Sequence, residues 1–209
     1  ENKANGDITA EGNVTLLRAN NQPGFAVVGV SCYHTTDGTT VNLINRGDIN
    51  VYTNVTPTAS WNTTKTHQTY GKIDIAGICG YDTKTKRDFQ NYGNITVGEP
   101  GDPAVVHTFA LSGGVGRTQW ANLTRLTNEG DITVYAVHYD PFITGEYTNK
   151  NWAAEIAGTT NAIDYFCVGG LLCFTQCNIA VGCENTFLIN TGDIYVECDT
   201  NATQNDAGS

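Results

Sequence analysis

Short runs of alternating apolar and polar residues recur along this chain. Ile49-Asn50-Val51, Ile95-Thr96-Val97, Ile132-Thr133-Val134 and Ile194-Tyr195-Val196 each repeat at period two. That period sends successive side chains to opposite faces of a strand, so each run predicts a strand with one buried face. Every run follows Gly-Asp or Gly-Asn, and behind the glycine stands an asparagine: Asn45-Arg46-Gly47, Asn91-Tyr92-Gly93, Asn128-Glu129-Gly130 and Asn190-Thr191-Gly192. Glycine followed by Asp or Asn supplies a turn into a strand. A trimmed copy, Asn5-Gly6-Asp7-Ile8-Thr9, opens the chain with Ala4 where the asparagine is expected. No stretch has a capped helical period; Ala153 to Ala157 offers at most one short turn.

Four full copies of Asn-x-Gly-(Asp/Asn)-Ile-x-Val in 209 residues mean a repeat architecture. A second marker precedes each copy: Val28-Gly29-Val30, Ala76-Gly77-Ile78, Gly113-Gly114-Val115 and Gly169-Gly170-Leu171. From Gly29 to Gly47, Gly77 to Gly93, Gly114 to Gly130 and Gly170 to Gly192 the spacing is 18, 16, 16 and 22 residues. The return from each Asn-x-Gly copy to the next such glycine is far less regular. One half of the repeat is nearly fixed and the other carries insertions, as in stacked coils whose strands keep register while loops on one edge vary.

Stacking would set Ile49, Ile95, Ile132 and Ile194 in one interior column and Val51, Val97, Val134 and Val196 in another. It would also layer Asn45, Asn91, Asn128 and Asn190, with Gly47, Gly93, Gly130 and Gly192, at about the 4.8 Å strand spacing. Asparagines so placed can bond amide to amide along the column. Asp48, Asn94, Asp131 and Asp193 form the next column. They read as turn residues bonding their own backbone rather than as a calcium rail, since close like charges repel and one oxygen donor per coil is too few.

Charge and composition narrow the partners. The formal net charge of −10 argues against a nucleic-acid or anionic-membrane partner, because binding phosphates needs clustered Lys and Arg. No run approaches the ~18 apolar residues of a membrane span. The passage from Tyr165 to Phe174 is expected to be one buried strand. Glu1 stands first and no Met occurs, so the chain reads as a processed or excised piece of something longer. The seven cysteines do not follow Cys-x-x-Cys spacing, which favours buried thiols or one or two disulfides over a metal site and fits an oxidising, extracellular home. No metal or other cofactor is expected. Six Asn-x-Thr sequons, at Asn13, Asn54, Asn62, Asn94, Asn122 and Asn201, invite a glycoprotein reading, though a chain so rich in Asn and Thr carries about three or four by chance.

Two long insertions, Tyr52 to Gly71 and Tyr135 to Ala153, both follow an Ile-x-Val strand and should leave from one edge. They carry the candidate binding residues Trp61, Tyr70, Tyr139, Phe142, Tyr147 and Trp152, together with His67 and His138. Flat rings beside Asn and Thr suit a sugar or a protein partner; the same rings folded back would cover the apolar edge of the stack. For catalysis there are loop carboxylates only, Asp140 and Glu146 near His138, and Asp82 and Asp88 near Arg87. Solvated carboxylates off the core strands do not make an acid–base pair. Gly113-Gly114-Val115-Gly116 looks like a phosphate loop but is one instance of the repeated marker. No catalytic residue is assigned.

Ala76-Gly77-Ile78-Cys79-Gly80-Tyr81 followed by Asn91-Tyr92-Gly93-Asn94-Ile95-Thr96-Val97 resembles a unit of the glycine-rich GLUG-type repeats of bacterial surface proteins. The chain also resembles the passenger repeats of autotransporter adhesins, over about residues 26 to 198. The resemblance implies an all-β, right-handed parallel β-helix (β-solenoid) that is exported and adhesive or structural. The expectation is thus one domain over 1–198 of about five irregular repeats with edge insertions, and a polar tail or linker over 199–209. The extra length between Gly170 and Gly192 is read as an added coil or an end cap. The expected role is an extracellular or cell-surface stalk, filament or adhesin segment without catalytic activity, whose partners are glycans or other copies of itself through its ends. The alternative is a β-helical polysaccharide-degrading enzyme or a carbohydrate-binding module.

Overall fold

The computed structural model of the chain describes residues 1–16, 23–34, 41–57, 72–83, 87–106, 109–119, 123–138, 166–175 and 187–200. Among these are eighteen strands and no helix. The chain runs through the same four sheets again and again. The first pass lays down β1 (Ile8–Leu16), β2 (Pro23–Val28), β3 (Ser31–His34) and β4 (Val41–Asn45). The second adds β5 (Ile49–Pro57), β6 (Lys72–Ala76), β7 (Cys79–Thr83) and β8 (Arg87–Asn91). The third comprises β9 (Ile95–Val97), β10 (Ala104–Val106), β11 (Phe109–Ser112), β12 (Val115–Gln119) and β13 (Leu123–Asn128). The fourth comprises β14 (Ile132–His138), β15 (Phe166–Gly169), β16 (Leu172–Thr175) and β17 (Phe187–Asn190), and β18 (Ile194–Thr200) opens a fifth.

All pairings between these strands are parallel. The first sheet joins β1, β5, β9, β14 and β18, with β10 also paired to β14; the others run β2-β6-β11-β15, β3-β7-β12-β16 and β4-β8-β13-β17. In the first sheet Ile8, Ile49, Ile95, Ile132 and Ile194 are successive register partners. So the repeated Ile-x-Val runs are layered in parallel, each on its predecessor.

Among the described residues the buried apolar side chains form two clusters. In the larger, Ile49, Val51, Ile95, Val97, Ile132 and Val134 of the first sheet meet Val27, Ile75 and Leu111 of the second. The smaller brings Ile78, Cys79 and Val115 against Phe89 and Leu126. Each fully buried side chain of this size contributes about 1.5–3 kcal/mol of transfer free energy. The stack therefore depends on these columns more than on any single strand pair.

The third pass departs from its neighbours. After Val97 the strand stops, and it resumes at Ala104, which pairs with Ala136 while Val105 pairs with Val137. Residues between them are extruded as a tight turn in which Glu99 and Asp102 exchange both backbone hydrogen bonds at 3.1 Å. Pro100 presets one corner, and Gly101 at φ 87° supplies the positive dihedral the next position needs, the pattern of a type II turn. Val105 N–H donates to Asn54 Oδ1 at 3.1 Å, closing the row.

Several details correct the sequence reading. Tyr165 to Phe174 is not one buried strand: β15 and β16 lie in different sheets, separated by a corner at Gly170-Leu171, and residues 166–173 are only partly buried. The first insertion begins after Pro57 rather than at Tyr52, and the second after His138 rather than at Tyr135. β18 continues through Asp199 and Thr200, two residues assigned above to the tail. The helical turn expected near Ala153 to Ala157 and the segment 176–186 lie outside the described residues.

Ser112 is wholly buried and its hydroxyl has no hydrogen-bond partner. Its register partner in the second pass is Ala76, equally buried. Because an unpaired buried hydroxyl costs about 1–3 kcal/mol, Ser112→Ala is expected to raise the denaturant midpoint, by about 1 kcal/mol of stability. An unchanged or lowered midpoint in urea titration would show that the hydroxyl is satisfied in solution.

Candidate functional site

The asparagine column is built as stacking requires. Asn45 Nδ2 donates to Asn91 Oδ1 at 2.8 Å, Asn91 Nδ2 to Asn128 Oδ1 at 2.7 Å, and Asn128 Nδ2 to Asn190 Oδ1 at 2.7 Å. Each amide also donates to the carbonyl two residues on: Gly47 for Asn45 at 2.9 Å, Gly93 for Asn91 and Gly130 for Asn128 at 2.8 Å, and Gly192 for Asn190 at 2.9 Å. The side chain thus closes its own turn and ties it to the next pass. Asn45, Asn91 and Asn128 are fully buried, where a bonded amide is stable and an unbonded one is costly.

The first copy has an asparagine after all, two residues before the expected place. Asn2 Nδ2 donates to Gly6 O and to Asn45 Oδ1, both at 2.8 Å, so Asn2 begins the column despite Ala4. Sequence spacing missed it because the first turn is longer, with Asn2 four residues before Gly6.

The two sequence markers meet across the interior. A Cβ on Gly29 would sit on Asn45, one on Gly77 on Asn91, one on Gly113 on Asn128 and one on Gly170 on Asn190. Gly113, not Gly114, is therefore the structural counterpart of Gly77. This glycine–asparagine line separates the two apolar clusters. It also explains the nearly constant spacing between the markers, which are the two ends of one closed half-turn.

The acidic column differs from expectation. Its side chains do not bond their own backbone; each accepts from the backbone N–H of the equivalent residue one pass later. Asp48 N–H donates to Asp7 Oδ1, Asn94 N–H to Asp48 Oδ1, Asp131 N–H to Asn94 Oδ1 and Asp193 N–H to Asp131 Oδ1, at 2.8–2.9 Å. An N–H donor at each step offsets repulsion between stacked carboxylates, and Asn94 interrupts the charges. No group of three or more His, Cys, Asp or Glu positioned to hold a metal ion occurs among the described residues.

On the outside, Arg46 pairs with Glu1 at 3.1 Å and lies 4.4 Å from the centre of the Tyr92 ring. Asp88, one of the loop carboxylates considered above, is engaged by Arg125 at 3.5 Å and by Gln90 at 3.1 Å; the side chains of Asp82 and Arg87 lie outside the described residues, as do Asp140 and Glu146. Cys167 and Cys173 form a disulfide across the corner between β15 and β16. Cys32, Cys79 and Cys198 are not in disulfides, and Cys177 and Cys183 lie outside the described residues. Burial pushes the Cys198 thiol above its ordinary pKa, which keeps it protonated and unreactive at neutral pH.

Trp61, Tyr70, Tyr139, Phe142, Tyr147 and Trp152, the candidate binding aromatics, all lie outside the described residues. Their points of departure are placed: the segments leave from the ends of β5 and β14, two strands of one parallel sheet. Between β5 and β14 lie β9 and β10.

Among the described residues the exposed large hydrophobics all lie in β17 and β18. Ile194 is 45% exposed and Val196 41%, against 1% and 0% for Ile132 and Val134. Leu188 is 37% exposed where its partner Leu126 is fully buried. Tyr195 donates its hydroxyl hydrogen to Glu197 at 3.0 Å, and that bond and charge raise the phenol's pKa.

No family model, curated protein or solved structure matches the chain.

Proposed function

We propose that the chain is a right-handed parallel β-solenoid that acts outside the cell or on its surface as a stalk, filament or adhesive segment, without catalytic activity. The observation that carries this reading is the continuity of the two side-chain ladders. One runs from Asn2 to Asn190 and the other from Asp7 to Asp193, through every described pass. The right hand follows from the general rule for parallel crossovers. A fold that commits its repeated polar residues to holding one layer on the next is suited to spanning distance and presenting loops. The likeness to GLUG-type and autotransporter repeats points the same way, as do an acidic surface unsuited to nucleic acid and a disulfide.

In this reading the adhesive part is the edge from which the two aromatic insertions leave, and its ligands are glycans. The test is a glycan array probed with the wild-type chain, Trp61→Ala and Trp152→Ala. Binding that drops more than about tenfold in either variant, the ordinary loss for an aromatic anchor, supports recognition through that edge. Equal binding by all three removes those loops as the ligand site, and immunolabelling of intact producing cells that finds the chain only inside them would overturn the surface role.

A further inference from the structure

Two of the sequons share one place in the stack. Asn13, Val14 and Thr15 of β1 are the register partners of Asn54, Val55 and Thr56 of β5, so the same Asn-Val-Thr stands on successive passes of the first sheet. Stacking explains the duplication, since one environment repeated per pass selects one residue. It does not give the two asparagines the same task. Asn54 is half-buried, and its Oδ1 accepts the Val105 N–H of the following pass at 3.1 Å. An amide whose oxygen is held against β10 is not free to swing its nitrogen out to a bulky substituent. Asn13 is exposed, and among the described residues no group bonds its side chain.

The surroundings of Asn13 are equally open. Ile8 and Ala10 pack against the larger apolar cluster, so period two turns Thr9 and Glu11 to the outer face, where Asn13 keeps register with Asn54. Glu11 and Gly12 are exposed beside it, and nothing lies within 4 Å of the place a Gly12 Cβ would take. Asn94, the third sequon asparagine among the described residues, is exposed but forms a rung of the acidic column. Its Oδ1 accepts the Asp131 N–H at 2.9 Å while its own N–H donates to Asp48 Oδ1 at 2.8 Å. A substituent on that amide would have to stand between carboxylates of the passes on either side.

We propose that Asn13 is a site of N-linked glycosylation, and that Asn54 and Asn94 stay unmodified because the fold uses their amides. The claim rests on the reading that the chain is exported, which brings it to the enzymes that add such glycans. The donor is a lipid-linked oligosaccharide pyrophosphate. Asn13 Nδ2 attacks the first sugar carbon, and the new C–N bond replaces the carbon–oxygen bond to the pyrophosphate. The amide nitrogen gives up one proton and the lipid pyrophosphate leaves. Thr15 is the third residue of the tripeptide that the transferring enzyme reads. The attached sugar lies on the outer face of the first sheet and adds bulky polar cover there.

The experiment is secretion of the full chain from cultured eukaryotic cells, followed by site-resolved peptide mapping and intact mass. That pathway receives the chain whatever its native location, so failure here is distinct from failure of the surface reading, which immunolabelling tests. Most of the Asn13 should carry a glycan, and enzymatic release should leave an aspartate in its place. Asn13→Gln and Thr15→Ala should each lower the intact mass by one glycan, while Asn54→Gln leaves the glycan pattern unchanged. In protein made without the glycosylating enzymes, Asn13→Gln should keep the wild-type melting temperature, because that side chain bonds nothing in the fold. Asn54→Gln should lower it, because the longer side chain moves the acceptor away from Val105. An unmodified Asn13, or a glycan on Asn54 or Asn94, overturns the proposal. So does a melting temperature that falls with Asn13→Gln and not with Asn54→Gln, which would exchange the roles of the two amides.

Discussion

Replacing Asn91 with alanine is expected to cost about 3–5 kcal/mol and to lower Tm by about 6–20 °C. Asn91 is the middle of the buried column, and its amide makes three hydrogen bonds: from Asn45, to Asn128 and to Gly93 O. Alanine deletes all three and strands a donor on Asn45 and acceptors on Asn128 and Gly93, where Asn45 and Asn128 are fully buried. Asn190→Ala is the control. Asn190 makes the same turn bond to Gly192, but it is exposed at the end of the column, and solvent can satisfy what is left. Its expected cost is about 1 kcal/mol. Thermal melts that give the two variants equal losses would mean that the asparagines act one turn at a time and not as a column.

Gly77→Ala should be at least as damaging, for a steric reason. An added Cβ there would overlap the Gly113 carbonyl oxygen of the next pass and the Asn91 side chain. Neither can move away, because the carbonyl belongs to the backbone and the amide is held by its ladder. A loss of more than about 3 kcal/mol is expected. Gly101→Ala separates this effect from backbone strain. Gly101 needs positive φ, yet nothing lies within 4 Å of the place its Cβ would take, so only the left-handed dihedral is penalised, by about 1–2 kcal/mol. Equal losses for Gly77 and Gly101 in chemical denaturation would show that the column of glycines is not a packing requirement.

The same residues show how far the sequence could be read. The layered register was legible because stacking repeats one environment once per pass, and identical environments select identical residues: Ile and Val inside, Asn at the buried turn, Gly opposite. Two recurring markers could be found, but a repeat period carries no information about what lies across the interior. That the glycine of one marker makes room for the asparagine of the other needed coordinates. The direction of the acidic column was missed for a similar reason. An Asp after Gly is adequate as a local turn residue, and only the neighbouring pass shows that its oxygen accepts from a strand-entry N–H above it. Asn2 was overlooked because the first turn is longer than the others. The excursion between Val97 and Ala104 was signalled by Gly98-Glu99-Pro100-Gly101-Asp102-Pro103, a Gly/Pro turn cluster that a search for period two alone passed over. The binding role proposed for Trp61, Trp152 and their neighbours rests on their chemistry and on the edge from which their segments depart.

The central claim is that each Gly-(Asp/Asn)-Ile segment lies one strand spacing above the last. It is tested most directly by electron paramagnetic resonance on spin labels carried by unnatural residues, which leaves the native cysteines alone. Thr9, Asn50, Thr96, Thr133 and Tyr195 occupy one row of the first sheet. Backbone separations along it should grow by about 4.8 Å per pass, reaching about 19 Å between Thr9 and Tyr195. Separations that fail to increase in chain order, with Thr9 as near to Thr133 or Tyr195 as to Asn50, would contradict the account.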